Sequence, residues 1–176
     1  IIWSDEHAEL AQKQTKMQDI ARQLDQDYDM SMDEKLYQLQ TAISENHEGS
    51  LQEIAVNGGK MAQIFFNFDS VQQELKNLPA EERQLEINKV RRQLGFNEEQ
   101  IAKQQGKDEA RNKRWDNGLS YMSQRQAIIA SVDENEQEEA LTALRNEHFK
   151  EEAYTIQKEE ESDFWRYNRP RKFGNN

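Results

Sequence analysis

The residue types that could do acid–base, nucleophilic or metal chemistry are present in this 176-residue sequence, but not at the spacings such chemistry needs. His7, His47 and His148 stand alone, with no H-E-x-x-H pairing to hold zinc. No G-x-S-x-G elbow exposes a serine. Cysteine is absent, so thiol catalysis, zinc–thiolate ligation and disulfides are all unavailable. Asp25, Asp27 and Asp29 open like a calcium loop, but Met30 stands at its sixth position, where glycine makes the turn. Leu36 stands at the twelfth, where a bidentate Glu belongs. The run therefore reads as a solvated helix end. Glu98-Glu99 and Glu151-Glu152 sit where the helix dipole favours acids in a first turn. The expectation is no catalytic residue, no metal and no cofactor.

Composition narrows the class further. Only 35% of the residues are hydrophobic and 32% are charged, while ordering each residue costs roughly 1–2 kcal/mol of backbone entropy. Such a chain buries little, so an open helical structure is expected. The net charge of −11 opposes nucleic-acid or anionic-membrane binding, which needs clustered Lys and Arg. No apolar run approaches the roughly 18 residues of a membrane span. The first residue is Ile, which reads as a fragment or a processed chain.

The elements that would position a functional surface are helices. Ser4 with Asp5 and Glu6 is a helix start, and Trp3, Leu10, Met17 and Leu24 recur every seven residues to about Asp27. Ser31 with Glu34 is a capping box for a helix with Met32, Leu36, Leu39 and Ile43 on one face. Ser50 with Glu53 repeats it for a short helix ending at Gly58-Gly59. The stretch Met61 to Phe68 is the most apolar and reads as helix or as an aromatic anchor. Asp69 or Ser70 caps the next helix, which ends near Leu78-Pro79. Pro79 suits a first helical position, and Ile87, Val90 and Leu94 lead to a stop at Gly95.

Asn97 with Gln100 opens a helix expected to pause at Gly106. Lys107 to about Val132 is helical, with Trp115, Leu119, Met122 and Ile129 in phase. Asp133 with Glu136 caps a helix carrying Leu141, Leu144 and His148 on one side. A last helix spans Lys150 to about Tyr167, before a basic, poorly helical tail, RPRKFGNN. The segments VRRQLGFNEEQI and LRNEHFKEEAYTI echo each other, as two related helical units would. The fold class is all-α: an extended multi-helix array of about nine helices with little compact core. The boundary is placed between residues 1–95, an extended helical region, and 96–176, a C-terminal helical mini-domain with the basic tail.

Three stretches carry a family likeness: IARQLDQDYDMSMDEKLYQLQTAI, RRQLGFNEEQIAKQQGKDEARNKRWDNGLSYMSQR and ALRNEHFKEEAYTI. Through them the chain resembles the extended helical and C-terminal regions of the bacterial lipase chaperones, or lipase-specific foldases. The resemblance implies an all-helical steric chaperone that faces the periplasm and is held in the inner membrane by an upstream anchor. Such a chaperone wraps a secreted triacylglycerol lipase and helps it fold. The anchor, and the activation motif of that family's first small domain, have no counterpart in this sequence.

A client-binding helical array acts without chemistry, through shallow contacts and a few anchors of Trp, Tyr and Arg type. The candidates are Arg91, Arg114, Trp115, Tyr121, Arg125, Phe149 and Trp165. Each also has a reading inside the fold. Trp115 is in phase with Leu119 and Met122 and so reads first as core. The arginines lie near glutamates and read as solvated or paired; Tyr121 fits either role. The alternative function is a self-associating helical or coiled-coil protein using the seven-residue stripe. An amphipathic lipid-binding protein is disfavoured by the acidic polar faces.

Overall fold

The computed structural model of the chain describes residues 2–45 and 58–175, with the side chains at 2–4, 10, 13 and 14 outside that description. The capping box at Ser50–Glu53, His47, and the side chains of Trp3 and Leu10 lie outside it too. All of the regular structure among the described residues is helical. The α-helices are α1 (Ile2–Gln26), α2 (Met32–Glu45), α3 (Gly58–Phe66), α4 (Asp69–Lys76), α5 (Ala80–Gln93), α6 (Glu98–Ser131), α7 (Glu134–Phe149) and α8 (Ala153–Glu161). They form two compact units: Ile1–Gly106 with Lys172–Asn176, and Lys107–Arg171. The division thus falls inside α6 rather than at Gly95, and the end of the tail belongs to the first unit.

Local signals set several boundaries. In the Asn97–Gln100 box, Asn97 Oδ1 accepts from the Gln100 amide at 2.8 Å and Gln100 Oε1 from the Asn97 amide at 2.9 Å. Ser31 Oγ accepts from the Glu34 amide at 3.3 Å. Gly95 has φ +93°, and the Phe96 and Gly95 amides bond back to the Arg91 and Arg92 carbonyls, the Schellman closure that favours glycine at this point.

Other expectations are corrected. α1 starts at Ile2, so Ser4 lies within it. Gly58-Gly59 opens α3, and the short helix expected before it lies outside the described residues. A Cβ on Gly58 would lie 2.5 Å from the Leu94 carbonyl oxygen, so this helix start packs directly on the end of α5. Neither Asp69 nor Ser70 caps α4 with its own side chain; the Asp25 carboxylate takes the Asp69 amide, and Ser70 Oγ donates to the Leu24 carbonyl at 2.9 Å. Asp27 Oδ1 accepts from the amides of Asp29 and Met30 at 3.0 Å each. The aspartate run therefore builds the α1–α2 turn and caps a neighbouring helix, which is more than a solvated end. α6 runs through Gly106 without a pause, because a single glycine costs only about 1 kcal/mol against a helix that continues on both sides. The last helix stops at Glu161, six residues short of Tyr167. Asp163 adopts φ +57°, and the Phe164 amide closes onto the Glu159 carbonyl at 2.8 Å.

The core of the first unit gathers apolar residues from α1 to α5. Met17 and Leu24 of the seven-residue stripe pack there with Leu36, Leu39, Ile43, Phe65, Phe66, Val71, Leu75, Ile87 and Val90. Phe65 meets Phe66 and Phe68 edge to face, with ring centroids 5.6 and 6.2 Å apart. The Met61–Phe68 stretch is thus a buried helix and its exit turn. Lys35 is also buried and donates from Nζ to the Met30 carbonyl at 2.9 Å. Burial pulls its ammonium below the usual lysine range, although Glu74, Asp27 and Asp25 act the other way.

Candidate partner-binding face of the second unit

The second unit is built on α6 from Lys107 onward. Tyr121, Leu144, Phe149, Ala153 and Ile156 form its centre, with Met122, Ile128 and Tyr167 against them. Its aromatic rings interlock: Tyr121 lies edge-on to Phe149 at 4.8 Å, Phe149 stacks on Tyr167 at 6.1 Å, and Trp115 meets the Tyr167 edge at 5.3 Å. The tyrosine ring passes so close to α6 that a Cβ at position 118 would collide with it. Gly118 is what lets Tyr167 lie there.

Beneath α6 lies a polar knot. Glu160 of α8 exposes 7% of its side chain and accepts from Arg125 Nε at 2.7 Å and Arg145 Nε at 2.9 Å. The Tyr121 hydroxyl donates to the same carboxylate, 2.8 and 2.9 Å from its two oxygens. The Arg125 guanidinium also lies 4.6 Å above the centre of the Trp165 ring, whose Nε1 donates to Asp163 at 2.8 Å. Arg145 Nη1 is buried without a hydrogen bond, and a Glu138 carboxylate oxygen lies 3.8 Å from it. His148 is tied to Asn117: Asn117 Nδ2 donates to the His148 carbonyl, which turns Asn117 Oδ1 toward His148 Nδ1 at 2.9 Å. Nδ1 must then carry the hydrogen.

Burial, followed by the hydrogen bond and charge of Glu160, pushes the Tyr121 hydroxyl up to about 12. A group raised on folding stabilises the native state fully below its ordinary value near 10, and that contribution is lost as pH climbs to the raised value. The second unit should therefore lose roughly 2–3 kcal/mol between pH 10 and 12, at about 1.4 kcal/mol per pH unit. Absorbance titration is expected to show a late tyrosinate step near pH 12 that disappears in Tyr121→Phe.

The seven sequence candidates separate on this geometry. Arg91 is buried in the first unit and donates from Nη2 to the Gly174 carbonyl at 3.3 Å. Tyr121 and Phe149 are core, and Arg125 is held between Glu160 and Trp165. These four hold the fold instead of presenting a surface, since each is consumed by partners within its own unit. Trp115 and Trp165 are half-buried, and Arg114 is exposed. Tyr121, Arg125, Phe149 and Trp165 are brought together; Arg91 is not among them.

The stripe Trp115, Leu119, Met122 and Ile129 is also reassigned. Its residues do share one side of α6, but Leu119 is 52% and Ile129 43% exposed. The buried side consists of Gly118, Tyr121, Arg125 and Ile128, rotated from the stripe by roughly 90° at about 100° per residue. What remains outward is the pair Leu119 and Ile129, roughly 15 Å apart along the helix at 1.5 Å per residue, while Met122 packs against the centre and Trp115 is half-buried against Tyr167. Glu160, Arg145, Asn117 and Tyr167 were not among the sequence candidates. Glu160 sits in a run of three glutamates that local pattern cannot tell apart, and pattern likewise cannot separate Gly118 from Gly106 of the same helix, where an added Cβ would meet nothing within 4 Å.

Among the described residues no cluster of His, Asp and Glu is arranged to hold a metal ion, and no helix is long and apolar enough to cross a membrane. No known protein family, curated protein or solved structure matches the chain. The class that fold and site define is an all-α protein whose second unit leaves two large apolar side chains, Leu119 and Ile129, exposed on a long, internally braced helix.

Proposed function

We propose that this protein is a steric chaperone of the lipase-specific foldase type, which holds a secreted triacylglycerol lipase by surface contact and does no covalent chemistry. The observation that carries the reading is the exposed pair Leu119 and Ile129 on α6, with the half-buried Trp115 and Met122 on the same side of the helix. Large apolar side chains left in water on one side of a helix offer area that a protein client would cover. The polar knot behind it supports the same reading, because Glu160 ties α6 to α7 and α8 and so holds the face in one geometry before a client arrives. The lipase as client comes from the three resembling stretches, as does the placement in the periplasm on an upstream inner-membrane anchor. Self-association through the seven-residue stripe draws less support, since Met17 and Leu24 are spent inside the first unit.

Calorimetric titration of the chain into the triacylglycerol lipase secreted by the same organism tests the reading. Saturable one-to-one binding is expected, weakened about tenfold when Leu119→Asp and Ile129→Asp are combined, a loss of about 1.4 kcal/mol. Absence of heat and of any complex would sink it.

A further inference from the structure

The end of the tail is seated in the first unit by contacts that read its main chain. The Gln72 side-chain amide pairs with Phe173 in both directions: Nε2 donates to the Phe173 carbonyl at 2.8 Å, and Oε1 accepts from the Phe173 amide at 2.7 Å. A second bond from Gln72 Nε2 to the Phe66 carbonyl, at 2.6 Å, fixes that amide in its orientation. The Phe173 ring lies 4.1 Å beneath the Arg83 guanidinium, itself held by the Leu75 and Leu78 carbonyls at 2.8 and 2.9 Å. Gly174 follows at φ +78°, where a Cβ would meet the Phe66 ring at 2.8 Å. Arg91 takes the Gly174 carbonyl, and Asn67 Oδ1 accepts from Lys172 Nζ at 3.2 Å and Asn175 Nδ2 at 3.0 Å. Beyond Gly174 and Asn175 a cleft of about 370 Å³ remains, lined by Gly59, Lys60, Ala62 and Gln104 among others.

Main-chain hydrogen bonds combined with one side-chain pocket and one position that admits only glycine are how proteins recognise peptide segments. We infer that this recess is a recognition site for a bent, non-helical Lys-Phe-Gly-Asn segment, filled in cis by the chain's own tail and in trans by the tail of a second copy. The tail segment has no helical structure of its own, so no helix has to unwind for it to leave the recess. The second copy is the occupant because it brings an identical segment, for which every contact is already built. Cis and trans docking then exchange like for like, and concentration decides between them, the tethered tail counting as an effective concentration on the order of a millimolar.

The test uses the full chain carrying Phe173→Ala with Gly174→Ala, which empties the recess, and a fluorescently labelled synthetic peptide of residues 169–176. Fluorescence anisotropy should show saturable binding to the variant and about tenfold or more weaker binding to the unaltered chain, whose own tail competes. The same peptide with Ala in place of Phe should not bind. Mixing the tail variant with a second full chain carrying Gln72→Ala should give a one-to-one complex by sedimentation, though neither forms one alone. Should the double change unfold the first unit, Gly174→Ala alone, which only drives the tail from the Phe66 ring, is read in the same way. A folded variant that neither binds peptide nor pairs with the Gln72→Ala chain would overturn the inference and leave the tail as internal packing.

Discussion

Glu160→Ala is expected to destabilise the second unit by about 3–5 kcal/mol, the usual consequence of removing one partner from a buried ion pair. Two guanidiniums and one hydroxyl converge on this carboxylate. Without it, Arg145 is left as a buried cation, and Tyr121, only 1% exposed, loses its acceptor. Arg125 suffers less, because the Trp165 ring still lies beneath it. Urea denaturation followed by hydrogen exchange of α6 to α8 would read the loss in this unit separately from the first. Glu161→Ala is the control: its ion pair with Lys158 is half-exposed on both sides, so the change should cost under about 0.5 kcal/mol. Equal melting of the two variants would show that the knot carries no weight. On the proposed function, Glu160→Ala should also weaken client binding although Glu160 itself would touch no client.

In the first unit the largest effect is expected from Phe65→Ala, about 3–5 kcal/mol. Its side chain is wholly buried and meets two other phenylalanine rings edge to face, so truncation removes transfer energy and leaves a cavity lined by rings that cannot close it. Leu85→Ala offers the contrast. That leucine is 68% exposed, and its loss should lower the unfolding free energy read from urea denaturation by no more than about 0.5 kcal/mol. A Phe65→Ala chain that unfolds at the unaltered midpoint would mean that the Phe65, Phe66 and Phe68 cluster is not the centre of this core.

Leu85 and Ile87 show how far sequence pattern reaches. Both sit on α5, and only Ile87 falls in phase with Val90, which is enough to place it inside. Where a buried face is apolar, as on α2 and α5, periodicity finds it. On α6 it selects the wrong side, because the buried face there is made of Gly118, Tyr121 and Arg125, facing an aromatic ring and a carboxylate. Hydropathy cannot see a face whose burial is satisfied by hydrogen bonds. That is why the candidate anchors Tyr121, Arg125 and Phe149 turned inward, while Leu119 and Ile129 turned out.

By itself the sequence determined the helical class and several helix boundaries, since capping is settled by residues within one turn of each other. Asn97 with Gln100, Ser31 with Glu34, and Gly95 act where their positions say they should. Only the tertiary structure decided what each helix faces. Asp25 caps a helix 44 residues away, Glu160 gathers side chains from α6 and α7, and Gln72 holds the tail 101 residues on. Such pairings depend on which surfaces meet once the chain has collapsed, and no short-range preference for turn, cap or period encodes that meeting.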